Sequence, residues 1–427
     1  MRILKGAMNL KQHLSITYES EIQDTLDRLG RENSHILSFS WFLDRTKLWF
    51  DREIRKNLKP RIAVLGPGIP EELILATGAQ PYFIIGGSLR SGDWSDALVP
   101  RDTDPISRSI LGFLNDPDGP DYSNTLFIIP AQNDNFRKIA WMLEREGKKI
   151  HVVDIPPQRE DLFTKLKWRE LMMNMTDDAA SHMKTRISFK RLAKVIHDVD
   201  TARKTFRIFL SLTSGRQDLL TGAARLLIQN SYYYVGDPVL WTEHLQLLNE
   251  ELQKKLLTAD HHERNKHPGI LLLGSPVCFP NYKIPFLIED IGMTILYTID
   301  PSILTFFIEE FPEGKEKKRR SLINAVADRW YLQDASSAYI KNDALHRSVR
   351  QCLDEGQTRG VVYHVLKGQI EYDFELERFE KLFDELEIPV FRLETDYQYQ
   401  DLEQLRVRME AFSEMLTQNR YREEQMV

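Results

Sequence analysis

RIAVLGPGIPEELILATGAQPYFII (61–85) passes from an apolar run through a Gly-Pro turn and an amphipathic segment into a second apolar run. The chain repeats that order three more times: TLFIIPAQNDNFRKIAWMLEREGKKIHVVDI (125–155), GILLLGSPVCFPNYKIPFLIEDIGMTILYTI (269–299) and GVVYHVLKGQIEYDFELERFEKLFDELEIPVFRLET (360–395). Short apolar runs bounded by turn residues, alternating with helical periodicity, are the pattern of βαβ units, which build parallel sheets. The first and third copies share strand, Gly- and Pro-containing turn, helix, Gly and strand. The expected fold is therefore α/β: two similar open parallel-sheet, Rossmann-like modules facing each other across a cleft, with N-terminal and central helical segments. Ligands in such sheets bind at the carboxyl ends of the strands, which directs attention to four loops.

Outward from these units, residues 1–60 read as an N-terminal helical segment closed by Lys59-Pro60, 61–157 as the first α/β module, 158–267 as a helical covering region and hinge, and 268–427 as the second module. Within the first module, 87–124 reads as a long loop rich in Gly, Asp, Ser and Pro, and long loops tend to carry function. Three helices are expected in 158–258, a polar hinge at His261–His267, two helices around Arg319–Tyr331 and Ser336–Leu353, and a closing helix at Asp401–Asn419.

The totals exclude several classes. A length of 427 residues calls for two or three domains, and 42% hydrophobic with 28% charged residues is ordinary for a soluble globular protein. A net charge of −6 argues against nucleic-acid binding. No apolar stretch approaches the ~18 residues that span a bilayer, and MRILKGAMNLKQHLSITYESE, without a long apolar core, is not expected to act as a secretory signal. Cys278 and Cys352 are the two cysteines; they cannot build a disulfide framework or an all-cysteine metal site. A cytoplasmic, reducing location is expected.

The loop residues each carry a bland and a functional reading. Glu71 and Glu72 open a helix after Gly66-Pro67-Gly68, where acids complement the helix dipole; the functional alternative puts one of them at the cleft. The turn lacks G-x-G-x-x-G, so it is not a dinucleotide fingerprint. Asn133 and Asp134 begin a helix and suit an N-cap, or else face a ligand. Ser275 and Asn281 flank Cys278, read as a buried inert thiol with no histidine beside it in sequence. Lys367 and Gln369 sit at the turn after GVVYHVL, in which His364 reads as packed; Glu375 and Glu377 read as solvated helix positions. The basic run Gly314–Arg320 reads as a solvated helix start or a phosphate-docking patch, and His261, His262 and His267 as part of the hinge rather than a metal tract.

PEELILATGAQP (70–81), PAQNDNFRKI (130–139), LLGSPVCFPNYKI (272–284), HVLKGQIEYDFE (364–375) and the ending IPVFRLETDYQYQDLEQLRVRMEAFSEML (388–416) occur in one order. Together they resemble the 2-hydroxyacyl-CoA dehydratase and benzoyl-CoA reductase family, in its paired D-component subunits, over about residues 55–417. The resemblance implies a [4Fe–4S] cluster held by three cysteines in the cleft. At the matching positions this chain has Gly66, Asn133 and Gln369. Glycine has no ligating side chain, and amides are poor iron ligands beside thiolates. Cys278 lies in a different loop and is not expected to restore the set.

The resemblance thus implies a cluster-free subunit of a heteromeric complex. It would bind no cofactor or metal itself, while a homologous partner carries the [4Fe–4S] cluster and the acyl-CoA chemistry and an ATP-dependent activator supplies the electron. Two alternatives are a cleft repurposed to bind an acyl-CoA-type ligand through Glu72, Asn133, Ser275, Asn281 and Gln369, and an acid–base enzyme using Glu72 or His364.

Overall fold

A computed structural model of the chain describes residues 16–159, 161–258, 267–311, 318–333, 335–354 and 357–426. In chain order the main elements are α1 (Tyr18–Glu32), α2 (Ser40–Phe50), β1 (Ile62–Leu65), α3 (Glu71–Leu75), β2 (Tyr82–Ile84), α4 (Pro105–Asn115), β3 (Leu126–Pro130), α5 (Asp134–Arg145), β4 (Lys149–Val153), α6 (Leu162–His182), α7 (Phe189–Thr213), α8 (Gly222–Val235), α9 (Pro238–Thr258), β5 (Gly269–Gly274), α10 (Lys283–Asp290), β6 (Thr294–Ile299), α11 (Arg319–Gln333), α12 (Asp343–Asp354), β7 (Gly360–Leu366), α13 (Glu371–Glu385), β8 (Val390–Thr395) and α14 (Leu402–Met426).

The strands form two four-stranded parallel sheets of the same topology, β2-β1-β3-β4 and β6-β5-β7-β8. Hydrophobic pattern decides which strands are central. IAVL, LFIIP, GILLLG and GVVYHVL are buried at every residue, as strands covered by helices on both faces must be. KIHVV and VFRLET, half-exposed along their length, take one edge of each sheet, and β2 and β6 take the other, where a helix of the central region covers them. The two halves are thus structural repeats of one β-α-β, β-α-β plan, each with its second unit added beside its first strand.

The region between the units departs from the sequence reading in two places. The stretch 87–124 is not a plain loop: it contains a 3₁₀ turn at Ser91–Ser95 and α4, whose start Asp104 caps by accepting from the Ser107 N–H at 3.0 Å. Among the described residues the central region holds four helices, and the unanticipated one is α8. Its sequence, GAARLLIQNSYYYV, is buried from Gly222 through Tyr234. A helix buried all round shows no amphipathic period, which is why it escaped a search for one. It packs against β2 of the first sheet and β6 of the second, so it is the shared spine of the two modules.

The other central helices fasten the halves together. Trp168 of α6, fully buried, donates its indole N–H to the Ala327 carbonyl of α11 at 2.7 Å, and Arg169 grips Asp328 with both arms of its guanidinium. Gly87 shows how closely the modules approach: at φ +106° it lies so near the 278–280 loop that a Cβ there would sit 2.1 Å from the Phe279 carbonyl oxygen. Among the described residues no helix is long and apolar enough to cross a membrane. His261 and His262, and most of the Gly314–Arg320 run, lie outside the described residues.

Candidate functional site

The carboxyl ends of β1, β3, β5 and β7 point toward one cavity between the modules. Its lining includes Gly66 and Pro67 after β1, Gln132 and Asn133 after β3, Pro276 and Cys278 after β5, and Gln369 and Glu371 after β7; α8 adds Asn230 and Tyr233 from behind. Gly66, Asn133 and Gln369 are therefore brought to one place by three separate loops. Gly66 makes its turn at φ +78°, a conformation that favours glycine. Asn133 caps α5, its Oδ1 accepting from the Phe136 N–H at 3.2 Å, and its amide lies 3.5 Å from the Glu371 carboxylate. Gln369 is buried, donates to Asp104 Oδ1 at 3.3 Å, and leaves its own Oε1 without a partner.

Cys278 also belongs to this lining, contributed by a fourth loop, the one after β5. The loops at the carboxyl edges of both sheets meet here, so residues far apart in sequence share one wall. Burial pushes its thiol well above its ordinary value, with the Asp300 carboxylate adding to the effect. It is a neutral, unreactive group.

The donor set in the cavity is thus one protonated thiol, the amides Gln132, Asn133, Asn230 and Gln369, the hydroxyls of Tyr233, Ser302, Ser337 and Tyr372, and one carboxyl, Glu371. Burial raises the Glu371 pKa, against the lowering effect of the Asn133 amide. The free volume is about 40 Å³, room for a few waters at roughly 10–15 Å³ each. Side chains fill the cleft. Asn230 is one of the fillers: its Oδ1 accepts from the Phe279 N–H at 2.8 Å and from the Tyr282 hydroxyl at 3.0 Å, pinning the cysteine loop. Tyr233 donates to the Ser302 carbonyl at 3.2 Å. The polar–aromatic run QNSYYY was the signal that α8 served a site, but without an amphipathic period it marked no face.

The remaining candidates lie elsewhere. Glu71 and Glu72 turn away from the cavity into a buried ion cluster. Glu72 Oε1 is 2.8 Å from Arg203 and 2.7 Å from Arg329; Arg329 also reaches Asp200 at 2.8 Å, and Tyr232 donates to Glu71 at 3.0 Å. Burial raises Glu71 to about 7, with repulsion from Glu72 adding to it. Glu72 faces the same burial but the two guanidiniums hold it below its ordinary value. Three carboxyl groups share two guanidiniums, so one shared proton leaves the cluster neutral, and the raised pKa of Glu71 against the lowered one of Glu72 favours Glu71 over Glu72 for it.

Asp134 projects into solvent with 96% of its side chain exposed. Ser275 is buried, its hydroxyl accepting from the Leu366 N–H at 2.9 Å. Asn281 donates to the Tyr397 carbonyl at 3.0 Å, and the neighbouring Lys283 reaches the Asp396 carbonyl at 2.9 Å and Asp401 at 2.8 Å. These two hold the E-T-D tail loop to the second module. Lys367 is exposed and pairs with Asp396 at 2.9 Å. His364 is buried in its strand, which lowers it to about 4. Glu375 is buried beside His346, not solvated, whereas Glu377 is exposed.

Two parallel-sheet modules that pool their strand ends into one interior cavity define a two-module α/β cleft protein. The family model for 2-hydroxyglutaryl-CoA dehydratase, D-component, matches residues 68–416, and the chain belongs to that family. It is 22% identical over 365 residues to the "Putative dehydratase subunit YjiM" of Escherichia coli (strain K12), covering 85% of this chain and 93% of that protein. It is 20% identical over 386 residues to the (R)-phenyllactyl-CoA dehydratase beta subunit of Clostridium sporogenes, covering 88% and 97%.

Proposed function

We propose that this chain is a cluster-free subunit of a heteromeric 2-hydroxyacyl-CoA dehydratase-type complex. A homologous partner subunit would carry the [4Fe–4S] cluster and act on the acyl-CoA, with an ATP-dependent activator as its electron source. The observation that carries the reading is the cavity itself. Its three strand-end positions Gly66, Asn133 and Gln369 offer no thiolate, Cys278 is a protonated thiol, and about 40 Å³ is free. These residues do not fit a cubane iron–sulfur cluster, which thiolates hold. The hard chemistry of the family belongs to its cofactor, so this chain's contribution is scaffold and interface.

The alternatives receive less support. A cleft filled to this degree leaves no space for an acyl group. Glu72 is held as a carboxylate by Arg203 and Arg329, and His364 is enclosed in its strand, so neither is poised as an acid or base. The test is anoxic recovery of the protein from its own host cells at native abundance, with mass spectrometry of what accompanies it. A stoichiometric, cysteine-bearing homologue that contains iron is expected. Recovery of this chain alone would overturn the proposal.

A further inference from the structure

The cavity at the strand ends is not the larger of two that α8 lines. On the far side of that helix a second cavity of about 410 Å³ opens between α7, α8, α12 and the edge strand β6. That volume falls within the ~300–1,000 Å³ typical of small-molecule sites. The cavities stand back to back: Gln229, which lines the second, donates at 2.7 Å to the hydroxyl of Ser302, which lines the first.

Its electrostatics are one-sided. Among the described residues the lining contains two guanidiniums, Arg207 and Arg225, and no carboxylate. Arg207 is matched by Glu310 at 3.0 Å. Arg225 makes no ion pair among the described residues; it donates to the Thr213 carbonyl at 2.9 Å, the Leu296 carbonyl at 3.2 Å and the Ile295 carbonyl. The carboxyl group that acts on it, Glu289, forms no ion pair with it and spends its Oε1 on the Gly222 N–H of the α8 N-terminus at 2.5 Å. Burial lowers Arg225 to about 10, which leaves it cationic at neutral pH. A buried cation with no counter-charge is costly, and an anion drawn in from solvent offsets that cost. The rest of the wall combines apolar side chains, Leu210, Leu226 and Leu304 among them, with polar ones such as Ser214, Ser348 and Gln351.

We infer that this cavity is a binding site for an amphipathic monocarboxylate, its carboxylate toward Arg225 and its apolar body among the leucines. This is distinct from the cleft and does not depend on the chain's role in a dehydratase.

The probe is octanoate, titrated calorimetrically into the full-length protein. Saturable one-to-one binding at submillimolar concentration is expected, with 1-octanol binding about tenfold more weakly or worse for want of the charge. Ser211 is an exposed residue of α7 on the cavity wall, so Ser211→Trp fills the space without disturbing the carbonyls that Arg225 holds. That variant should lose octanoate affinity at least ~10-fold while keeping the wild-type urea midpoint. No saturable binding, equal binding of the alcohol, or unchanged affinity in Ser211→Trp would each overturn the inference.

Discussion

Replacing Arg329 by methionine probes the ion cluster that ties the second module to the first. Arg329 on α11 is 2.7 Å from Glu72 and 2.8 Å from Asp200, and its side chain is 6% exposed. Methionine keeps much of the volume and removes the charge, leaving Glu71, Glu72 and Asp200 against Arg203 alone. Breaking a buried pair from one side costs about 3–5 kcal/mol, because the remaining charges stay desolvated. Asp200 retains the Phe311 N–H at 2.9 Å, a bond that an asparagine oxygen can accept as well. The double variant Arg329→Met/Asp200→Asn therefore returns the cluster to neutrality, with one proton on Glu71, and should recover roughly 1–2 kcal/mol, a coupling expected within one network. Urea unfolding supplies the assay, read as a shift in midpoint at constant slope. A loss below about 1 kcal/mol, the value of an exposed pair, or a double variant less stable than the single one, would refute the reasoning.

Burial holds Glu289 at about 7 against an ordinary 4.5, despite the Gly222 and Ala223 N–H groups. Between those values the folded chain keeps a proton that the unfolded chain has released, so stability falls with rising pH by roughly 1.4 kcal/mol per unit for such a group. Glu289→Gln should remove that share of the slope in urea midpoints across the window, leaving those of Glu21 and Glu71, which are raised to about 7 in the same way. Gly87→Ala places a methyl group against the Phe279 carbonyl at a positive φ; it should cost about 3 kcal/mol or more, seen as faster proteolysis of the folded chain. Lys283→Met should free the 395–401 loop by removing its bonds to the Asp396 and Gln398 carbonyls and to Asp401, raising amide exchange there more than in β5.

The sheets were legible because the central strands are covered on both faces, and their continuous apolar runs end at glycine- and proline-bearing turns. Convergence of Gly66, Asn133 and Gln369 followed from one rule about strand ends. What the sequence hid were features made by tertiary contact. Glu72 meets Arg203 across 131 positions and Arg329 across 257, so its partners could not be read from its own segment, where a helix dipole explained it well enough. Helix α8 lacked a polar face, and with it went both Asn230 and the wall that separates the two cavities. How much room the cleft retains is a property of packing, and no local pattern encodes it.

The central claim is that this chain keeps the family scaffold without its cluster. Anoxic reconstitution of the isolated protein with ferrous iron and sulfide tests it most directly, followed by gel filtration, iron and sulfide analysis, and electron paramagnetic resonance after reduction. The account predicts that no stoichiometric iron or sulfide travels with the protein and that no cubane signal appears. Stoichiometric iron and sulfide with a reducible cubane signal in the isolated chain would contradict it.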